Sequence, residues 1–191
     1  MDSKIRIKTA AEGRSKTKDR FAQRLILLVL IPFSLLFTPS CKTNNWTEWK
    51  VQNEMWLAAN KTKPGVQTSS TGLQYKIIED PTPQDARPNK NSVIVCDYTV
   101  KLINGYTVES RNGAEIPLSG TIPGFQEGCH KIHNNGDIEL YIPAYLGYDY
   151  AKYQSDEYNK AEGLGTEGTQ GYIPPYSTLI YTIHICGVTG N

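Results

Sequence analysis

The segment Tyr172-Ile173-Pro174-Pro175-Tyr176-Ser177-Thr178-Leu179-Ile180-Tyr181 constrains this chain more than any other. Two consecutive prolines fix the backbone and remove two N–H donors, so they form a stiff corner and not part of a ladder. The run after them, Thr178 to Val188, alternates and is rich in β-branched and aromatic residues, which reads as a strand. Leu73 to Ile77, Val93 to Val100 and Ile138 to Ile142 read the same way. Asn104-Gly105 predicts a tight turn. The sheet resumes at Tyr106-Thr107-Val108 and, after an irregular patch, at Ile116-Pro117-Leu118. Pro123 offers a helix start, Phe125, Cys129 and Ile132 share one helical face, and Asn134-Asn135-Gly136 is the predicted stop. About five strands and one short helix predict an α+β fold, with an antiparallel sheet curled around the helix to cover its apolar face.

The chain has 191 residues and a formal net charge of +1, which conceals a split. Residues 1–24 carry a local +5 and residues 25–191 a local −4. The basic excess therefore belongs to a leader, and no nucleic-acid surface is predicted. Leu25 to Phe37 is an uncharged run of 13 residues, short beside the ~20 of a spanning helix. Together with the positive segment before it and Thr38-Pro39-Ser40-Cys41 after it, this resembles a bacterial lipoprotein signal over residues 1–40. That resemblance implies acylation of Cys41 and a membrane-held domain in the cell envelope. The absence of an aspartate after Cys41 points to the outer membrane, facing the periplasm.

Residues 41–70 read as a tether. Trp46, Trp49 and Trp56 allow one apolar helical face within it, and 58–71 is Lys-, Thr-, Ser-, Pro- and Gly-rich linker. Cys96, Cys129 and Cys186 remain once Cys41 is set aside, an odd number that implies no complete disulfide framework. Each reads as a small buried hydrophobe, although one bridge is open to an exported protein. Between Tyr148 and Tyr172 the chain is polar and rich in Tyr and Gly, predicting a long insert at 149–171. Its Gly163-Leu164-Gly165-Thr166-Glu167-Gly168 lacks the preceding strand and following helix of a nucleotide loop. Cys129, His130 and His133 do not share a helix face and have no fourth ligand at a zinc spacing, so no metal or other cofactor is predicted.

The domain expected over residues 71–191 resembles the FKBP-type peptidyl-prolyl cis/trans isomerases. The likeness rests on Gly72-Leu73-Gln74-Tyr75, Tyr98, Ile122-Pro123-Gly124-Phe125-Gln126-Glu127-Gly128, Ile142-Pro143 with Leu146-Gly147-Tyr148, and Ile173 to Ile185. It implies an FKBP-like fold and a prolyl isomerase that acts on proline-containing segments of unfolded exported proteins. It also implies residue roles. Phe125 is the pocket floor, where many members carry Trp, Tyr98 and Tyr181 are walls, and Tyr148 donates its hydroxyl to the peptide. Ile122 packs on the prolyl ring and offers its N–H, and Ile173 closes one side. Val108-Glu109-Ser110 stands where members typically have Phe-Asp-Ser, and Ala114 where a phenylalanine is expected. Val108 and Glu109 still fall among the substrate-binding positions, around a wider and less aromatic pocket. That departure leaves a second reading open, a catalytically weak chaperone or peptide-binding module of the same fold.

Overall fold

A computed structural model describes residues 46–85, 87–148 and 170–190. Among them the chain forms helix α1 (Trp46–Asn60), strands β1 (Gln67–Thr68), β2 (Gln74–Glu79), β3 (Val93–Lys101) and β4 (Thr107–Pro117), then helix α2 (Pro123–Cys129) and strands β5 (Asp137–Ile142) and β6 (Leu179–Thr189). Short 3-10 turns occupy Leu118–Gly120 and Ala144–Leu146. All of these lie in one unit, Asn44–Asn191. The signal-like leader, Cys41 and the glycine-rich 163–168 motif lie outside the described residues.

The strands form one antiparallel sheet in the order β1-β2-β5-β6-β3-β4. β6 shows why the alternation in sequence works: Leu179, Tyr181, Ile183 and Ile185 are buried while Thr182 and Cys186 are exposed. The buried set meets Ile94, Cys96, Ile138, Leu140 and Ile142 from the neighbouring strands, with Cys129 and Ile132 from the α2 region. Period-two burial of this kind is what a one-sided sheet requires.

α2 lies against β5, and two glycines permit the close approach. A Cβ at Gly124 would overlap Ile142, and one at Gly128 would overlap Leu140. The helix ends at Cys129 and not at the expected Asn134-Asn135-Gly136 stop. The cause is a competing ladder: the Asn135 N–H bonds the Ile185 carbonyl at 2.8 Å, and the Ile185 N–H bonds the Gly136 carbonyl at 3.0 Å. These bonds draw the chain out of helical geometry, with Asn135 at φ 57°.

Three other elements depart from expectation. The patch between Val108 and Ile116 is continuous strand, with the register shifting where Cys96 pairs Ala114 and Tyr98 pairs Arg111. Asp97 stabilises this bulge by accepting the Gly113 N–H at 2.6 Å. The stretch 58–71 contributes the end of α1 and all of β1. Cys186 is exposed, while Cys96 and Cys129 are buried, and all three thiols are free.

α1 docks through a stripe at 46, 49, 53, 56 and 60, and its two most buried residues are asparagines. Asn60 Nδ2 donates to Gln74 Oε1 at 3.0 Å, and Gln74 Nε2 donates to the Leu57 carbonyl at 3.0 Å. One glutamine thus ties the end of the helix to β2, giving the Leu57 carbonyl a second donor beside the Lys61 N–H.

The proline-rich loop before β3 is held by hydrogen bonds centred on His133. Asp80 accepts the His133 backbone N–H at 2.9 Å and faces its ring Nδ1 at 2.8 Å, while Arg87 Nε donates to His133 Nε2 at 3.1 Å. Accepting from Arg87 places the ring proton on Nδ1, pointing at the carboxylate. Partial burial pushes the Asp80 carboxyl up, but the His133 hydrogen bonds and the nearby charges hold it below its ordinary value of 3.8. A depressed carboxyl contributes stability that is complete above the unfolded value and drains away as pH falls through the folded one. Asp80→Asn is therefore expected to cost about 1–2 kcal/mol at neutral pH. Its stability should also fall less steeply than that of the parent below pH 3.8, measured by urea melts across pH.

Candidate functional site

Three aromatic rings meet on the core-facing side of the sheet. Tyr98 on β3 pairs with Ile183, and Tyr181 on β6 pairs with Val100, so the two tyrosines are diagonal neighbours on one face. Phe125 reaches them from the first turn of α2. That turn is set by Ile122, which is extended at φ −65° and ψ 149°, and by Pro123 at the first helical position. Ring centroids are 5.3 Å apart for Phe125–Tyr181, 6.4 Å for Tyr98–Phe125 and 6.1 Å for Tyr98–Tyr181. The two Phe125 contacts are edge-on, the preferred arrangement for such quadrupoles and worth about 0.5–1.5 kcal/mol each. Phe125 is 3% exposed, so its ring is a fixed floor.

Over this floor lies a hollow of about 640 Å³. Tyr98, Phe125, Tyr181, Ile122, Tyr148, Glu109, Arg111, Ile116 and Tyr145 contribute to its lining. A second hollow of about 560 Å³ adjoins it and shares Glu109, Arg111, Tyr148 and Tyr181. Val100, Val108, Ser110, Gln170, Gly171 and Ile173 complete the second. All eight pocket residues expected from the sequence line one hollow or the other. Tyr98, Phe125 and Ile122 are in the first, Val108 and Ile173 in the second, and Glu109, Tyr148 and Tyr181 in both.

The polar groups of the rim form a short relay. Tyr98 Oη donates to Glu109 Oε2 at 2.8 Å, and Arg111 Nε donates to Glu109 Oε1 at 2.6 Å. The extra methylene of glutamate is accommodated, and the carboxylate holds the Tyr98 hydroxyl in place. Burial pushes the Tyr98 phenol up, as does its hydrogen bond to the carboxylate. Burial also pushes the Tyr181 phenol well above its ordinary value, helped by Tyr148, Tyr98 and Glu109 around it. Both phenols stay protonated at neutral pH and present flat surfaces, not bases, with Tyr98 also a donor to Glu109.

Sequence reasoning missed Arg111, Ile116 and Tyr145. Arg111 follows Glu109 by two residues, and strand alternation alone puts both on one side of β4. Ile116 supplies apolar wall on the strand where Ala114 leaves room. Tyr145 is held over the rim by its hydroxyl, which donates to the Thr71 carbonyl at 3.2 Å, a long-range contact with no local signature. It also covers Gly72, where φ is +93° and an added Cβ would strike the Tyr145 hydroxyl.

Comparison with known proteins agrees with this geometry. The sequence profile of the FKBP-type peptidyl-prolyl cis-trans isomerases matches residues 84–186, more than half of the chain. The profile of the domain amino-terminal to such isomerases matches residues 41–77. The outer membrane protein MIP of Legionella longbeachae is 33% identical over 145 residues, covering 74% of this chain and 54% of that protein. The FKBP-type peptidyl-prolyl cis-trans isomerase FkpA of Escherichia coli K12 is 34% identical over 128 residues, covering 65% of this chain and 40% of that protein. The chain thus spans about half the length of the relatives it matches. The crystal structure of Escherichia coli FkpA superposes with a TM-score of 0.62 at 25% identity, over 91% of this chain and 70% of that one. The sheet order, the aromatic cup and these matches have one reading: the chain belongs to the FKBP-type peptidyl-prolyl cis-trans isomerase family.

Proposed function

We propose that this chain is a peptidyl-prolyl cis/trans isomerase that assists the folding of exported proteins. The observation that carries this reading is the Tyr98–Phe125–Tyr181 cup, with the apolar Ile122 at its edge. Isomerisation of an X–Pro bond breaks nothing. Its barrier of ~18–20 kcal/mol is amide resonance, and spontaneous exchange takes tens to hundreds of seconds. A catalyst therefore needs only to favour the twisted amide over both planar forms. The twisted form is less polar, so an apolar cup that strips water from the bond favours it. Flat rings grip the prolyl ring, Tyr148 donates from the rim, and the Ile122 N–H serves a flanking carbonyl. Each tenfold acceleration requires only ~1.4 kcal/mol of such preference.

A second reading, a weakly catalytic holdase of the same fold, is favoured by one observation. The second hollow mixes aliphatic Val100, Val108 and Ile173 with polar Glu109, Ser110, Arg111 and Gln170, so the paired hollows suit an unfolded chain broadly. Proline-limited refolding at substoichiometric protein separates the two. Isomerase action shortens the slow phase and is lost in the Phe125→Ala variant. Holding suppresses aggregation equally in both proteins and leaves the slow phase unchanged.

We further propose that residues 1–40 are a lipoprotein signal, that Cys41 carries the lipid and that the domain works in the periplasm from the outer membrane. The charge pattern, the apolar run and the cysteine support this, as does a relative named as an outer membrane protein. A Cys41→Ala variant is expected to move from the membrane to the soluble fraction. Retention of that variant in the membrane contradicts lipid anchoring through this residue.

A further inference from the structure

Helix α1 grips the segment that walls the second hollow. Asn53 Oδ1 accepts the Thr178 N–H at 2.7 Å. Trp49 Nε1 donates to Ser177 Oγ at 3.0 Å, and that hydroxyl donates onward to the Pro174 carbonyl at 2.6 Å. The Trp46 ring lies 6.4 Å from that of Tyr172, and Lys50 Nζ sits 5.2 Å over the Tyr176 ring. Successive turns of one helix therefore hold residues 172–178. Within that stretch is Ile173, which is 5% exposed and lines the hollow.

The gripped segment is not held by the sheet. The last β5–β6 pair is Ile142 with Leu179, so Thr178 lies one residue beyond the ladder. Thr178 is 1% exposed, and Asn53 is what satisfies its N–H. Asn53 is itself 2% exposed, and its amide is oriented by donating to the Trp49 carbonyl at 2.8 Å. Tyr176 stands at φ 65°, a conformation an aromatic residue adopts only when its surroundings impose it.

We propose that α1 is part of the peptide-binding apparatus. Asn53 acts as a positioning residue that sets Ile173 in the wall, so that docking of α1 and occupation of the hollow by a prolyl peptide reinforce one another. The identity of that peptide rests on the isomerase reading, but the coupling does not. Coupling of this kind is reciprocal: a docked helix tightens peptide binding, and bound peptide tightens the helix. Ile173 lies beyond the aromatic floor, so misplacing it weakens ground state and transition state alike. The consequence is a raised KM with kcat retained.

The chain carries a reporter for this. Its three tryptophans, Trp46, Trp49 and Trp56, are all on α1, and none lines either hollow. The experiment titrates the full chain in detergent with an Ala-Leu-Pro-Phe peptide, reading tryptophan emission excited where tyrosine does not absorb, alongside isomerase kinetics. The parent is expected to give a saturable emission change. Asn53→Ala should raise KM about five- to tenfold with kcat within about twofold. Trp49→Phe keeps an aromatic ring and removes the N–H, and it should move KM in the same direction. It serves in place of Asn53→Ala if that variant does not fold. Met55→Ala, on the exposed face of the same helix, should match the parent. The proposal is overturned if saturating peptide leaves the emission unchanged, or if the α1 variants keep the parental KM and lose only thermal stability. A parent without turnover contradicts the isomerase reading instead, and the emission titration then decides the coupling alone.

Discussion

Replacing Phe125 with alanine is expected to lower kcat/KM about a hundredfold or more, equivalent to ~2.7 kcal/mol of transition-state stabilisation. The ring touches both tyrosines of the cup and forms its floor, so its loss opens the hollow to water at the centre of the cup. The same truncation removes a side chain that is 3% exposed, so a stability loss of about 3–5 kcal/mol accompanies it. Two controls separate these effects. Phe125→Leu keeps apolar volume but not flatness, and should cost about tenfold in kcat/KM with a stability loss of about 1–2 kcal/mol. Phe125→Trp restores a flat ring and should stay within about tenfold of the parent. Urea melts alongside peptide kinetics decide whether activity follows ring shape or merely the folded fraction.

The second large effect is expected at Gly124. Alanine there gains about 1 kcal/mol of helix propensity, yet its Cβ would overlap Ile142 Cγ2 and come within 3.2 Å of the Leu146 carbonyl. Ile142 is fully buried and β-branched, and the carbonyl is main chain, so neither can yield cheaply. Overpacking of this kind costs about 1–3 kcal/mol, so the net change should be destabilising despite the better helix former. Because Phe125 is the next residue, a displaced α2 also tilts the floor of the cup. Weakened peptide binding should therefore accompany the lower melting temperature. A Gly124→Ala variant more stable than the parent contradicts the packing described for α2 and β5.

The sheet is legible because a one-sided antiparallel sheet imprints a period of two. Leu179, Tyr181, Ile183 and Ile185 advertise their common face in the sequence alone. What stays hidden is whatever polar residues build. β4 reads as broken because Arg111, Asn112 and Gly113 are exposed, and only Asp97 across the ladder shows that they form a bulge. α1 reads as a partial stripe because its buried turns at Asn53 and Asn60 are amides, invisible to a search for apolar spacing. The end of α2 is obscured because its competitor, Ile185, lies on a strand far along the chain. The site follows the same rule. Aromatic and aliphatic lining residues are carried by their motif order, whereas Arg111 and Tyr145 join the rim through partners that no local pattern reveals.

Val108 lines the second hollow, while Ile116 and Tyr145 supply lining to the first. Glu109 keeps the Tyr98 ring fixed through a 2.8 Å hydrogen bond, so the three-ring floor does not depend on the residue at position 108.

The most direct test is the cis–trans exchange rate of a Leu-Pro peptide, read by NMR exchange spectroscopy with the protein at a small fraction of the peptide concentration. Exchange faster than the spontaneous rate, proportional to protein and lost with Phe125→Ala, is the predicted result. A peptide that binds the hollow yet exchanges only at its spontaneous rate contradicts the account.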